Sequence, residues 1–175
     1  MATGPRYFVP FRRKREGRTD YAKRLKLVVS PVPRMVVRRT NRHFIIQLVV
    51  AEEQGDRTLV AANSAELVTF GYTGGLSNTP AAYLTGVLFG ARARKEGHAA
   101  AILDIGRATA SRGGRLFAAL KGAVDAGLHV PYGQEILPDE ARMMGGHIAA
   151  NQPEKYGAIV NNTKETAERI KKEVT

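Results

Sequence analysis

The chain has no cysteine and no tryptophan, and aromatic residues make up only 7% of it. Without cysteine there can be no disulfide, no thiolate zinc site and no cysteine nucleophile. No apolar run reaches the length of a bilayer-spanning helix. The opening MATGPRYFVPFRRKREG also lacks the continuous apolar stretch and small-residue cleavage site of a secretory signal. These absences point to a soluble, cytoplasmic protein with no membrane partner. Acids are scarce in one place: residues 1–42 hold 13 Lys or Arg against Glu16 and Asp20 alone, which accounts for the whole formal charge of +11. Residues 43–175 carry 14 charges of each sign. Segregated positive charge makes a local field that attracts phosphates, so a polyanion is the expected partner.

The length of 175 residues and a hydrophobic content of 43% suit one domain with terminal extensions. Residues 1–30 read as a basic arm and short helix, 31–150 as an α/β body, and 151–175 as a C-terminal segment with a terminal helix. In the arm, Pro5, Pro10 and Gly17 break regular structure, while Tyr7, Phe8 and Phe11 lie among Arg12, Arg13, Lys14, Arg15 and Arg18. Such a stretch is expected to stay mobile until a partner neutralises it. Rings and guanidinium planes stack on exposed bases while cations hold phosphates, so the mixture favours folded RNA over a lipid surface. Thr19 or Asp20 caps a helix whose apolar face is Tyr21, Leu25 and Val28, with Lys23, Arg24 and Lys26 mostly off that face.

After Pro31 and Pro33, alternation over Arg34 to Arg39 predicts a strand with Arg34 and Arg38 on one face. A turn at Thr40-Asn41-Arg42 leads into a second strand, HFIIQLVVA, and residues 57–63 read as a third. Asn78 or Thr79 with Pro80 opens a helix with a buried stripe of Leu84, Val87, Leu88 and Ala91, ending at Gly97. Gly86 and Gly90 are expected to bring this helix close to the sheet. The apolar run AAILDIG, residues 99–105, predicts an inner strand reached by a crossover. A loop, RATASRGG, then precedes a helix through about Gly127 with Leu116, Leu120 and Val124 inward. Pro138, Asp139 and Glu140 start a short helix, and Asn162 with Glu165 resembles a capping pair for a helix over 163–174. The predicted architecture is α/β: an antiparallel three-strand meander plus a parallel crossover strand in one mixed sheet, helices packed on it, and a basic N-terminal extension.

Asp104 ends an apolar strand, a common position for functional groups. One carboxylate does not make a two-metal site, and the structural expectation is that it caps the next loop or pairs with Arg107. His43, His98, His129 and His147 lack metal-ligand spacing, so neither metal nor cofactor is expected. Met143 and Met144 suit helix packing. GRATASRGGR offers a secondary phosphate contact through Ser111, Arg112 and Arg115 near a helix N-terminus. A nucleic-acid-processing enzyme would need clustered acids, and a protein-interaction module with a basic transport tail would bind without regard to RNA structure; these are the two alternatives to an RNA binder.

The strings FRRKREGRTDY, AKRLKL and PRMVVRRTNRH resemble the archaeal form of large-subunit ribosomal protein eighteen, whose eukaryotic relative is the large-subunit protein five. The resemblance continues through NTPAAYLTGVLFGARA, AILDIGRATASRGGRLFAALKGAVDAGLHVPYG and ILPDEARMMGGHIA. It implies a non-enzymatic component of the large ribosomal subunit. That component binds 5S rRNA, helps attach it to 23S rRNA in the central protuberance, and neighbours large-subunit ribosomal protein five. The RNA-binding residues it implies are Arg12, Arg13, Lys14, Arg15, Arg18, Thr19, Tyr21, Arg24, Arg38, Asn41, Arg42 and His43. The hairpin cation Arg39 joins them on the reading of its strand.

Overall fold

The computed structural model describes residues 4–174. Residues 1–3 of the predicted arm and Thr175 lie outside the described residues. Four strands, β1 (Arg34–Arg39), β2 (Phe44–Glu52), β3 (Gly55–Asn63) and β4 (Ile102–Asp104), form one mixed sheet in the order β3-β2-β1-β4. The first three make the antiparallel meander, and β4 runs parallel to β1. Strand alternation aims Met35, Val37, Phe44, Ile46, Leu48, Val60 and Ala62 into one core. The register slips at Leu48/Val49, the site of a β-bulge. Contrary to the expected inner strand, β4 has three residues and sits at the edge, because only β1 pairs with it. The chain just before it adds one parallel bridge, Ala100 to His129.

Helix α3 (Thr79–Lys95) begins where Asn78 accepts a hydrogen bond from the Ala81 amide, with proline in its first turn. The expected stripe is buried, but so is nearly everything else: 14 of the 17 residues are inside. A helix that is apolar all round belongs at the centre of a fold rather than on one side of it. It lies between the sheet, α4 (Arg115–Asp125) and α8 (Ile159–Val174). Gly86 and Gly90 face α4, not the sheet as expected. A Cβ on Gly86 would overlap the Ala119 carbonyl, and one on Gly122 of α4 would overlap the Tyr83 carbonyl. Reciprocal glycines thus let two helix backbones touch, which no larger residue permits.

Helix α2 (Tyr21–Val28), four short helices, α1 (Arg12–Arg15), α5 (Glu140–Met144), α6 (Gly146–Asn151) and α7 (Pro153–Tyr156), and 3-10 turns at Ser64–Val68 and Gln134–Ile136 complete the order. Met143 is buried, as its packing role requires. Helix α8 starts before the expected cap, and Asn162 lies within it. Its side chain accepts from the Thr73 amide at 3.0 Å and donates to the Gly71 carbonyl at 2.8 Å. It therefore closes the loop after β3 instead of capping its own helix.

Candidate nucleic-acid interface

Helix α2 (Tyr21–Val28) joins the arm to the body. Asp20 caps it, accepting from the Ala22 and Lys23 amides at 3.1 and 3.2 Å. Its expected inner residue Leu25 is 63% exposed. Tyr21, Arg24, Leu27 and Val28 are the half-buried residues, so two members of the expected face are partly covered while Arg24 takes the place of Leu25, and none of the eight is fully buried. The reason is electrostatic: Arg24 turns inward because Asp56, at the tip of the β2–β3 hairpin, accepts from its Nη2 at 2.7 Å. The same Asp56 oxygen stands 2.9 Å from Nη2 of Arg34, a guanidinium that is 4% exposed. Burial acts to raise the Asp56 carboxyl, but the Arg24 and Arg34 guanidinium groups outweigh it and hold it below the usual carboxylate range.

Arg34 and Arg38 share a strand face, as the alternation predicts, and both converge on Asp104. Arg34 Nη1 reaches Asp104 Oδ2 at 3.2 Å, and Arg38 Nη2 reaches Oδ1 at 3.4 Å. Arg38 Nη1 also donates to the Asp104 carbonyl at 2.9 Å. Asp104 further caps the next loop, accepting from the Gly106 amide at 2.7 Å. The loop-capping expectation holds, while its charge partners are Arg34 and Arg38 instead of Arg107. Gly106 has φ +61° and packs against the Arg38 guanidinium, so a side chain there would be both strained and crowded.

These elements enclose a cleft of about 1170 Å³ at the C-terminal ends of the parallel pair β1 and β4. Its walls are Arg13, Arg18, Thr19 and Asp20 of the arm, α2, the end of β1, and the loop 104–111. Eight cations line it: Arg13, Arg18, Lys23, Arg24, Lys26, Arg38, Arg39 and Arg107. The two acids in its wall, Asp20 and Asp104, are spent on a helix cap and on arginines. A concave surface of one charge sign concentrates field lines toward a polyanion.

The other sequence-derived candidates divide into groups. Arg12, Lys14 and Arg15 lie on the exposed single turn α1, outside the cleft wall; Arg12 and Arg18 flank Glu16 at 3.5 and 3.1 Å. Arg13 Nε donates to Thr19 Oγ1 at 2.9 Å, which folds the arm back toward α2. The Tyr21 ring lies 5.3 Å from that of Phe11, and Phe11 meets Phe8 edge-on at 6.4 Å. Asn41, Arg42 and His43 form the β1–β2 turn, where Thr40 Oγ1 accepts from the Arg42 and His43 amides; none of the three reaches the cleft. Ser111 lines the cleft. Arg112 is exposed beside Glu135, and Arg115 donates to the Ser77 carbonyl at 2.6 Å. Burial and the nearby Arg39 both act to lower Arg115 from its ordinary value.

Lys23, Lys26 and Arg107 were absent from the sequence-derived set and belong to the cleft. The first two were legible as the polar side of α2, whereas Arg107 needed the loop's path. Among the described residues no group of three or more His, Asp or Glu is placed to hold a metal. No helix of the described chain is long and apolar enough to cross a membrane.

Comparison with known proteins shows which family the chain belongs to. The family model described as ribosomal large subunit proteins 60S L5, and 50S L18, matches residues 5–99 and 91–133. The chain belongs to this family. Every residue of the cleft wall, from Arg13 to Leu116, falls inside the matched span. The chain is 66% identical over 174 residues to "Large ribosomal subunit protein uL18" of Methanoregula boonei, covering 99% of both chains. It is 63% identical over 174 residues to the protein of that name from Methanoculleus marisnigri, again over 99% of both. To that of Methanococcoides burtonii it is 51% identical over 164 residues, 91% of this chain and 95% of the relative. Members of this family are structural components of the large ribosomal subunit, not enzymes, which removes the processing-enzyme alternative.

Proposed function

We propose that the cleft and arm bind 5S rRNA and help attach it to 23S rRNA in the central protuberance of the large subunit, in the cytoplasm, beside large-subunit ribosomal protein five. The observation that carries this reading is the convergence of arm, α2, β1 and the 104–111 loop on one cationic cleft. Family membership supplies the ribosomal setting. Phosphates bind Arg13, Lys23, Lys26, Arg39 and Arg107 from opposing walls. The arm cations Arg12, Lys14 and Arg15 and the turn residues Asn41, Arg42 and His43 extend the contact beyond the cleft, and Arg112 adds to it from the loop. Tyr21 and the Phe8–Phe11 pair offer ring faces to unstacked bases. Arg18, Arg24 and Arg38, paired with carboxylates, shape the walls as well as contributing charge.

A folded RNA is favoured over an arbitrary polyanion because the walls belong to different elements with fixed separation. Competition binding of 5S rRNA against transfer RNA and duplex DNA at near-physiological salt tests this. The expected result is a clear preference for 5S rRNA, and equal affinity for all three would refute it.

A further inference from the structure

The wall of the cleft that carries Lys23 and Lys26 is held by a carboxylate that does not face the cleft. Helix α2 has no fully buried residue: Tyr21, Leu27 and Val28 are only half-buried, and Leu25 and the C-cap residue Val29 are 63% and 76% exposed, so apolar packing alone gives it little purchase on the body. Among the described residues, the ion pair linking α2 to the body is Arg24 with Asp56. An isolated pair at this exposure contributes little. Here the accepting oxygen also lies 2.9 Å from Arg34, whose guanidinium is fixed in turn by Asp104. Charges alternate through Arg24, Asp56, Arg34, Asp104 and Arg38, running from the arm helix beneath the sheet face to the loop on the far wall. Because Asp56 is already held by a buried partner, docking Arg24 onto it immobilises one side chain rather than two.

We propose that Asp56 is a positioning residue of the RNA interface: from the β2–β3 hairpin tip it fixes α2 so that Lys23 and Lys26 line the cleft before RNA arrives. This rests on the reading of the cleft as an RNA interface. The role has a signature that simple charge does not share. Asp56 is an acid near a polyanion site, so on net charge alone its removal should tighten RNA binding. If it positions α2, removal should weaken binding, because RNA must then select the docked fraction of a mobile helix.

The test uses the full chain carrying Asp56→Asn, with Asp56→Glu as the conservative variant. In the free protein, trypsin cleavage after Lys23 and Lys26 reports whether α2 is docked. For Asp56→Asn, cleavage should accelerate and the dissociation constant for 5S rRNA should rise roughly three- to tenfold at fixed salt. Asp56→Glu should recover most of both losses. Unchanged cleavage, or affinity equal to or tighter than that of the parent chain, overturns the proposal. Should Asp56→Asn unfold the body by leaving Arg34 short of counter-charge, Arg24→Gln breaks the same contact from the arm side. Faster cleavage of that variant supports the proposal, and a parental rate overturns it. Failure of the parent chain to prefer 5S rRNA would refute the functional reading, while the cleavage result would still decide whether Asp56 docks α2.

Discussion

Replacing Lys23, Lys26 and Arg39 together by glutamine asks how much of the affinity for RNA the cleft supplies. Of its eight cations, Arg18, Arg24 and Arg38 already have carboxylate partners, which leaves Arg13, Lys23, Lys26, Arg39 and Arg107 to meet phosphates. Each neutralised phosphate contributes about −0.7 to −0.9 to the slope of log K against log salt, so five give roughly −4. Through the cleft contacts alone, a fourfold rise in salt should then weaken binding roughly 250-fold. With three cations removed, two phosphate contacts remain in the cleft, its share of the slope falls to roughly −1.6, and through that share the same rise in salt costs only about tenfold. If affinity at 1 M salt is unchanged, the loss at about 0.15 M should be roughly 100-fold. Fluorescence anisotropy of labelled 5S rRNA across a salt series reads both quantities. A charge-matched control, Lys164→Gln, Lys171→Gln and Lys172→Gln on the exposed face of α8, should leave the slope near that of the parent chain. Equal flattening in the two triple variants would refute the cleft as the seat of binding.

Asp104→Asn should destabilise the fold by about 3 kcal/mol, because it leaves Arg34, 4% exposed, without its strand-end counter-charge; chemical denaturation measures this. The same variant should show no change in RNA turnover, since Asp104 serves arginines and a loop amide. Gly122→Ala should cost about 1–3 kcal/mol or more, because its Cβ would meet the backbone of Tyr83 and Val87 rather than a yielding side chain; the denaturation midpoint reports it. Burial pushes the Tyr72 hydroxyl up to about 12, against the opposing pull of its hydrogen bond to Asn78. A group raised in this way favours the neutral folded form, so its contribution is complete below pH 10 and is lost as pH climbs from 10 toward 12. Tyr72→Phe should therefore flatten the alkaline limb of the stability curve measured by pH-dependent denaturation.

Elements whose cause is local were legible in the chain itself. Asp20 before α2 and Asn78 before α3 carry their own capping chemistry, and the alternation over Arg34 to Arg39 assigns faces because the pleat has period two. The concentration of charge in residues 1–42 needed only counting. Choices of partner were not legible, since they depend on residues far along the chain. Leu25 and Arg24 compete for the inner face of α2, and the arginine wins through Asp56, 32 positions away. Asn162 has the composition of a cap and serves instead a loop 89 positions earlier. Gly86 and Gly90 announce a close approach without saying to what, and only the crossing of α3 with α4 names the Ala119 and Ala123 carbonyls. The cleft follows the same rule. Sequence determined which residues are cationic and which turns can bend, whereas tertiary structure decided that Arg107 and Lys23 face a common space while Arg42 does not. Charge is a property of a residue, but a field strong enough to select a folded polyanion requires several charges held at fixed separations, and only the packed body supplies those.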